Sequence, residues 1–293
     1  MTANILRRIA LPEIPSASGI EIIGNSIYII GDDSPFLFEL NADYSIKSKI
    51  RLFESVYERV PKSEKPDLEG MAHLRTEKMN LLLICGSGSI EETRDVIFLV
   101  DLNKNFAVKK FPSRAFYTRC RTVVEELGGG ILNLEGVCFR RGWLHFFHRG
   151  NITGVNVIIS LLWKDFLRFE SSSASFRADK IELPSFQTIY PGISGATLIP
   201  ETNEILFTAS LEQTQNVIDD GPVHGSLIGI LHYSKYPKKN PETAMLSLQD
   251  SLPPPKLESI AIKSVDKKEI IALCVSDRDG SRSELIKVKI SVD

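Results

Sequence analysis

The chain has 293 residues, 43% hydrophobic and 25% charged, with a formal net charge of −2, which is ordinary globular material with ample apolar residues for a core. So even a charge balance excludes a broadly basic surface, and with it nucleic acid or an anionic membrane as expected partners. Met1 to Gly19 has no apolar stretch of signal-peptide length and no run is long enough to cross a bilayer, so a cytoplasmic monomer with one domain over residues 1–293 is expected.

Ile5 to Leu11 reads as a short strand stopped by Pro12. Ser18-Gly19 follows, the first of five dipeptides that each open an apolar, β-rich run; the others are Glu69-Gly70, Glu135-Gly136, Ser194-Gly195 and Glu258-Ser259. In the first copy alternating hydrophobics run through Gly19 to Gly24, Ser26 to Gly31 and Phe36 to Leu40, and a more polar Ser45 to Phe53 comes fourth. Similar polar strands precede the later dipeptides at Phe106 to Pro112, Phe176 to Leu183 and Ala244 to Leu248. Four strands per unit, the most apolar first and the most polar last, are the pattern of a β-propeller blade. The last unit stops after its third strand, Leu285 to Ile290, which leaves Ile5 to Leu11 as the spare fourth. The expected fold is therefore an all-β propeller of five four-stranded blades, its ring closed by the N-terminal strand. Six blades is the alternative, with a degenerate one around Phe116 to Leu132.

Two segments break the pattern. Glu54 to Pro66 is charged and reads as a surface loop; Arg119 to Leu127 reads as a short helix ended by Gly128-Gly129-Gly130, which has no Gly-Lys-Ser/Thr to make it a phosphate loop. Cys85, Cys138 and Cys274 lie in apolar runs and read as reduced thiols, while Cys120, between Arg119 and Arg121, reads as a surface cysteine. Trp143 and Trp163 are expected to pack between blades.

Strand alternation brings the five dipeptides to one rim with the loops between second and third strands: Asp32-Asp33, Ser87 to Ser89, His148 to Asn151, Ser210 to Glu212, and Asp277-Arg278-Asp279. Glu69, Glu135 and Glu258 meet at that rim, and carboxylates about 8 Å apart at an effective dielectric near 20 repel by roughly 2 kcal/mol per pair. The repulsion is offset by a divalent cation, by arginines, or by local backbone N–H groups; in the last case each Glu or Ser merely caps its own strand. All three remain open at this level. Calcium is the cofactor the three glutamates would hold as metal ligands. Asp277-Arg278-Asp279-Gly280 reads as a β-turn rather than a calcium loop, and Ser194 lacks a nucleophile-elbow context.

The phrases KPDLEGMA (Lys65 to Ala72), NLEGVCF (Asn133 to Phe139), FFHRGN (Phe146 to Asn151) and KLESIAI (Lys256 to Ile262) resemble an uncharacterised bacterial propeller family related to the phytase-like esterase and SdiA-regulated propeller groups. That resemblance implies a propeller with a polar central site and relatives that include calcium-dependent phosphoester hydrolases and lactone hydrolases. Two functions compete. In the first the chain is a metal-assisted hydrolase of a small phosphoester or lactone, with His148 and Arg149 catalytic and Ser18, Asp33, Arg121, Ser194, Glu212, Asp277 and Arg278 binding the ligand. In the second it is a non-catalytic module holding a peptide or a cationic small molecule at the same rim. A deep cluster of carboxylates favours the first; a shallow rim of locally bonded glutamates favours the second.

Overall fold

A computed structural model of the chain describes residues 1–169, 177–214, 221–232, 241–247, 252–277 and 283–292. The chain begins with β1 (Thr2–Leu11) and continues into a first antiparallel unit of β2 (Ala17–Ile23), β3 (Ser26–Gly31), β4 (Phe36–Leu40) and β5 (Ile46–Arg51). Gly24 at φ 60° turns the two-residue connection from β2 to β3, where a side chain would be strained. The second unit is β6 (Leu68–Thr76), β7 (Met79–Gly86), β8 (Ile97–Asp101) and β9 (Ala107–Phe111), followed by α1 (Arg114–Glu126). A third comprises β10 (Leu134–Arg140), β11 (Trp143–His148), β12 (Asn156–Leu162) and β13 (Arg177–Ile181), with the one-turn α2 (Trp163–Phe166) after β12.

The remaining described strands form one eight-stranded sheet made of two antiparallel fours. One is β14 (Gly192–Leu198), β15 (Glu204–Glu212), β16 (Val223–His232) and β17 (Glu242–Ser247); the other is β18 (Lys256–Asp266), β19 (Glu269–Asp277), β20 (Ser283–Ser291) and β1. β1 pairs antiparallel with β20, Ile5 opposite Val288 and Leu11 opposite Ser283, as the strand count required. Its other edge meets β17 in a two-residue parallel bridge, which joins the two fours.

The described residues thus make a mainly β fold of the all-β class, with three four-stranded sheets and one eight-stranded sheet. Apolar faces pack sheet against sheet in a cycle. Separate buried clusters lie between the first and second units, the second and third, the third and fourth, the fourth and fifth, and the fifth and first. First strands also pack in a cycle: β2 on β6, β6 on β10, β10 on β14, β14 on β18, and β18 back on β2. Each first strand carries an extra residue near its start, and that residue is Ser18, Glu69, Glu135, Ser194 or Glu258. The recurrent dipeptide therefore marks a β-bulge, which bends the strand and re-aims one side chain. The second residue of the pair is small because neighbouring first strands nearly touch there: a Cβ on Gly195 would lie 2.5 Å from Ser259 Cα.

Several sequence expectations need correcting. Phe116 to Leu132 is not a degenerate blade, because α1 occupies most of it and buries Phe116, Tyr117, Cys120 and Val124. That helix begins at Arg114, five residues before the expected Arg119, because Phe116 and Tyr117 extend its apolar face. Cys120 is fully buried on that face, and burial pushes its thiol well above the ordinary range, so it is no surface cysteine. Trp143 opens β11 with 38% exposure instead of packing between sheets, whereas Trp163 stacks on Phe166. Among the described residues no helix is long and apolar enough to cross a membrane.

Closure through β1 carries a prediction. Deleting Met1 to Leu11 should expose β20 and leave the Ala3 and Ile5 pocket unfilled, giving aggregation or loss of cooperative melting. The milder Ile5→Ala should lower stability by about 2–4 kcal/mol in a urea titration.

Candidate functional site

The bulges and the loops between second and third strands surround a cavity of about 480 Å³. Its described lining includes eight carboxyl groups, Asp32, Asp33, Asp67, Glu69, Glu135, Glu212, Glu258 and Asp277, and six cationic side chains, Arg59, Lys62, Lys65, Arg94, Arg149 and Lys256. Such a density of buried charge is tolerable only where charges are paired and hydrogen-bonded.

Arg149 organises one side of the cavity. Its Nη1 donates to Glu135 Oε1 at 3.2 Å, and its Nη2 to Glu212 Oε2 at 2.5 Å and Ser210 Oγ at 2.9 Å. Asn133 Nδ2 adds a bond to Glu135 Oε1 at 2.7 Å. Lys256 Nζ lies 3.4 Å from Glu212 and 3.3 Å from Glu258. Burial would raise the Glu212 carboxyl, but Arg149 and Lys256 outweigh it and the net shift is downward. For Glu258 burial wins over both cations, with repulsion from Glu135 and Glu212, and its pKa rises to about 8.

The opposite side is built from the first and second units. Asp67, two residues before the second bulge and in the left-handed region at φ 54°, is fully engaged: it takes Arg94 Nη1 at 2.6 Å, Lys65 Nζ at 2.8 Å and the Ser87 hydroxyl at 2.6 Å. Lys65 also pairs with Asp32, whose carboxyl burial nevertheless raises to about 7. Asp33 takes Arg59 Nε at 2.6 Å. Glu69 differs from all of these. It lines the cavity, yet among the described residues its carboxyl has no hydrogen bond and no ion pair. Burial, then repulsion from Glu135, Asp67, Asp32 and Glu258, raises its pKa well above the ordinary carboxyl range.

Of the residues singled out in the sequence, the fold brings Ser18, Asp33, Glu69, Glu135, Arg149, Glu212, Glu258 and Asp277 together around this cavity. Three are elsewhere. His148 is buried below the rim: its Nδ1 accepts the Asn133 N–H at 3.1 Å, its Nε2 donates to Gly129 O at 3.1 Å, and burial lowers its pKa to about 4. Both ring nitrogens are committed to backbone, so His148 is not the catalytic acid or base expected. Arg121 grips Asp95 and Gly88 O from α1, away from the cavity. Ser194 is fully buried and donates to Leu257 O at 2.5 Å, tying the fourth unit to the fifth. Ser18 does likewise to Leu68 O at 2.5 Å, although it also lines the cavity. Arg278 lies outside the described residues.

The glutamate trio expected to bind calcium is not a free carboxylate cage. Glu135 is held by Arg149 and Asn133, and Glu258 by Lys256, so a dication there would have to displace two cations. A second trio, Asp32, Asp67 and Glu69, has oxygens within 4.8 Å of one another, but Lys65 Nζ already sits on two of its members. Sequence reasoning missed Asp67 and Lys256 as site residues, although both stand two places before a bulge, as Ser16 and Asn133 do. It also took Glu54 to Pro66 for a surface loop, whereas Arg59, Val60, Pro61, Lys62 and Lys65 wall the cavity.

Residues 13–290 match the family of unknown function DUF6929, and the chain belongs to that family. No curated protein matches the chain significantly. Among solved structures the chain is similar to a glutaminyl cyclase of Myxococcus xanthus at 12% identity and TM-score 0.52, covering 100% of this chain and 98% of that one. It is also similar to an α-L-arabinofuranosidase of Podospora anserina in complex with cellotriose, at 11% identity and TM-score 0.52, covering 98% and 96%. At such identities these likenesses concern the fold alone.

Arg149 links carboxyl groups from two sheets. Arg149→Ala should destabilise the protein by about 3–5 kcal/mol in urea unfolding, because Glu135 and Glu212 would lose a shared buried partner. Arg149→Met paired with Glu212→Gln should recover a measurable part of that loss.

Proposed function

We propose that the five units are the blades of a propeller in one domain, and that its central cavity is the active site of an enzyme acting on a small polar molecule by proton transfer at Glu69. The cyclic packing of first strands and the five inter-sheet clusters support the propeller reading. One observation carries the functional reading. Every other lining carboxyl for which contacts are described is held by a cation, whereas Glu69 faces the cavity with its acid group uncommitted and its proton affinity raised. A cavity-facing carboxyl that burial and neighbouring carboxylates hold above the ordinary range carries a proton it can give up and take back, as general acid–base catalysis requires.

The same charges set the substrate class. Carboxyls outnumber cations among the described lining residues, and Arg59, Lys65, Arg94, Arg149 and Lys256 are engaged by the chain's own carboxylates, which disfavours a phosphoester dianion. Hydrolysis of a small lactone or ester with Glu69 as proton carrier falls within this reading. Metal assistance does not, because the candidate ligands hold Arg149, Lys256 and Lys65 instead. Kinship with phytase-like propellers stays a resemblance of short motifs.

Glu69→Gln keeps the size and polarity of the side chain and removes its proton. Turnover of any substrate found by screening small esters, lactones and amides should fall by roughly 10²–10⁴-fold in this variant. A variant that turns over like the native enzyme would remove Glu69 from the mechanism.

Stability should report the same group. Glu69 and Glu258 have folded pKa values raised above the unfolded value, so the native state binds more protons than the unfolded chain between the two. Their contribution is fully present below about pH 4.5 and is lost as pH rises through the folded values, near 8 for Glu258. Urea midpoints should therefore decline between pH 5 and pH 8, and Glu69→Gln should make that decline shallower.

A further inference from the structure

Building on the reading of the cavity as a small-molecule site, we propose that its ligand carries an ammonium group, seated against the Glu69 carboxylate, and a second polar group that bonds the Asn151 amide. Two independent features point to a ligand. The first is Glu69 itself, in a carboxyl-rich cavity where Lys65 serves Asp32 and Asp67, Arg59 serves Asp33, and Arg149 and Lys256 serve Glu135, Glu212 and Glu258. No cationic group of the described chain reaches Glu69 at ion-pair distance. The second is Asn151, which lines the cavity, is only 8% exposed, and has no hydrogen bond among the described residues. Its Cβ is held against Gly192, where an added Cβ would lie 2.8 Å away, so the amide is left to the cavity rather than to the protein. An amide and a carboxyl left unbonded in one cavity are complementary to a ligand with a cationic donor and a neutral polar group.

The choice of ammonium over a metal ion follows from the neighbouring contacts. Lys65 Nζ sits 2.8 Å from Asp67 and also on Asp32, so the chain's own ammonium occupies two members of the carboxyl trio that Glu69 completes. That spacing suits N–H···O bonds. Calcium would need six to eight oxygens at 2.3–2.6 Å, and Asp67 is already engaged by Lys65, Arg94 and Ser87. A dication would also stand against two resident cations, whereas a singly charged ammonium with three donors is met by Glu69 alone and relieves its repulsion with Glu135 and Glu258. An anionic ligand meets the opposite balance.

Calorimetric titration of the full chain tests this, with ethanolamine and glycinamide as amine probes, ethylene glycol and acetamide as neutral counterparts, glycolate as the anion, and calcium chloride. The amines should bind at least tenfold more tightly than their neutral counterparts and glycolate. Glu69→Gln should weaken both amines tenfold or more while melting cooperatively. Asn151→Ala should weaken glycinamide more than ethanolamine. Neutral probes binding as tightly as amines, amine binding unchanged in Glu69→Gln, calcium as the one cation bound, or no binding by any amine would each overturn the proposal. Failure of the enzymatic reading looks different: amines bind through Glu69 but no screened compound is turned over. Turnover that depends on Glu69, by a protein that ignores amines, would sink the ligand class alone.

Discussion

One extra residue at the start of each first strand sets both the architecture and the chemistry of this protein. A regular strand would alternate its side chains between faces without interruption, and the bulge breaks that alternation at one place. Ser18, Glu69, Glu135, Ser194 and Glu258 are the residues released from pairing. The small residue after each lets adjacent first strands approach almost to backbone contact, as Gly136 does against Gly195. Close approach brings the starts of the five first strands together, and four of the released side chains, Ser18, Glu69, Glu135 and Glu258, then line one cavity. Polar crowding at the centre is a consequence of the packing that closes the cycle.

Crowding carboxyls in this way is expensive, and the fold offsets it with cations drawn from different elements. Arg149 comes from the end of the second strand of its unit, Lys256 from the start of a first strand, and Lys65, Arg59 and Arg94 from loops. Because Arg59–Asp33, Lys65–Asp32, Arg94–Asp67, Arg149–Glu212 and Lys256–Glu212 join segments distant in sequence, the charges also lock loop to sheet. Val60 N–H donates to Asp33 O at 2.7 Å beside the Arg59–Asp33 pair, which is how a segment rich in charge comes to form a wall of the cavity. Stability and site geometry are therefore coupled through the same few side chains.

Much of this was legible in the sequence because period-2 alternation and a recurrent dipeptide are local signals. The units, the pairing of Ile5 to Leu11 with the last strand, and the convergence of Glu69, Glu135 and Glu258 with Arg149 and Glu212 all follow from counting strands and their directions. What was illegible depends on which partner a side chain finds. His148 stands next to Arg149 in sequence, but His148 is the last residue of β11 and is sealed against Gly129 and Asn133, while Arg149, just beyond the strand, enters the cavity. Cys120 lies between two arginines, yet helical geometry sends Arg121 to Asp95 and buries the thiol against the sheets. Lys65 and Lys256 were not singled out in the sequence, because their second partners, Asp32 and Glu212, reach them only through tertiary packing.

Repetition makes the departure at Glu69 informative. Five equivalent bulge positions establish what architecture alone demands, and four of them meet that demand in recognisable ways. Ser18 and Ser194 donate to the carbonyl of a leucine in the next first strand, stitching neighbouring sheets together. Glu135 and Glu258, whose carboxylates cannot donate that bond, turn into the cavity and take Arg149 and Lys256. Glu69 follows neither pattern. A fold stabilised only for its own sake would gain by placing serine there, which would reach the neighbouring carbonyl and remove one carboxyl from a cluster already strained by repulsion. Holding a carboxyl there costs stability at neutral pH, and such costs persist where an interaction outside the fold makes use of them.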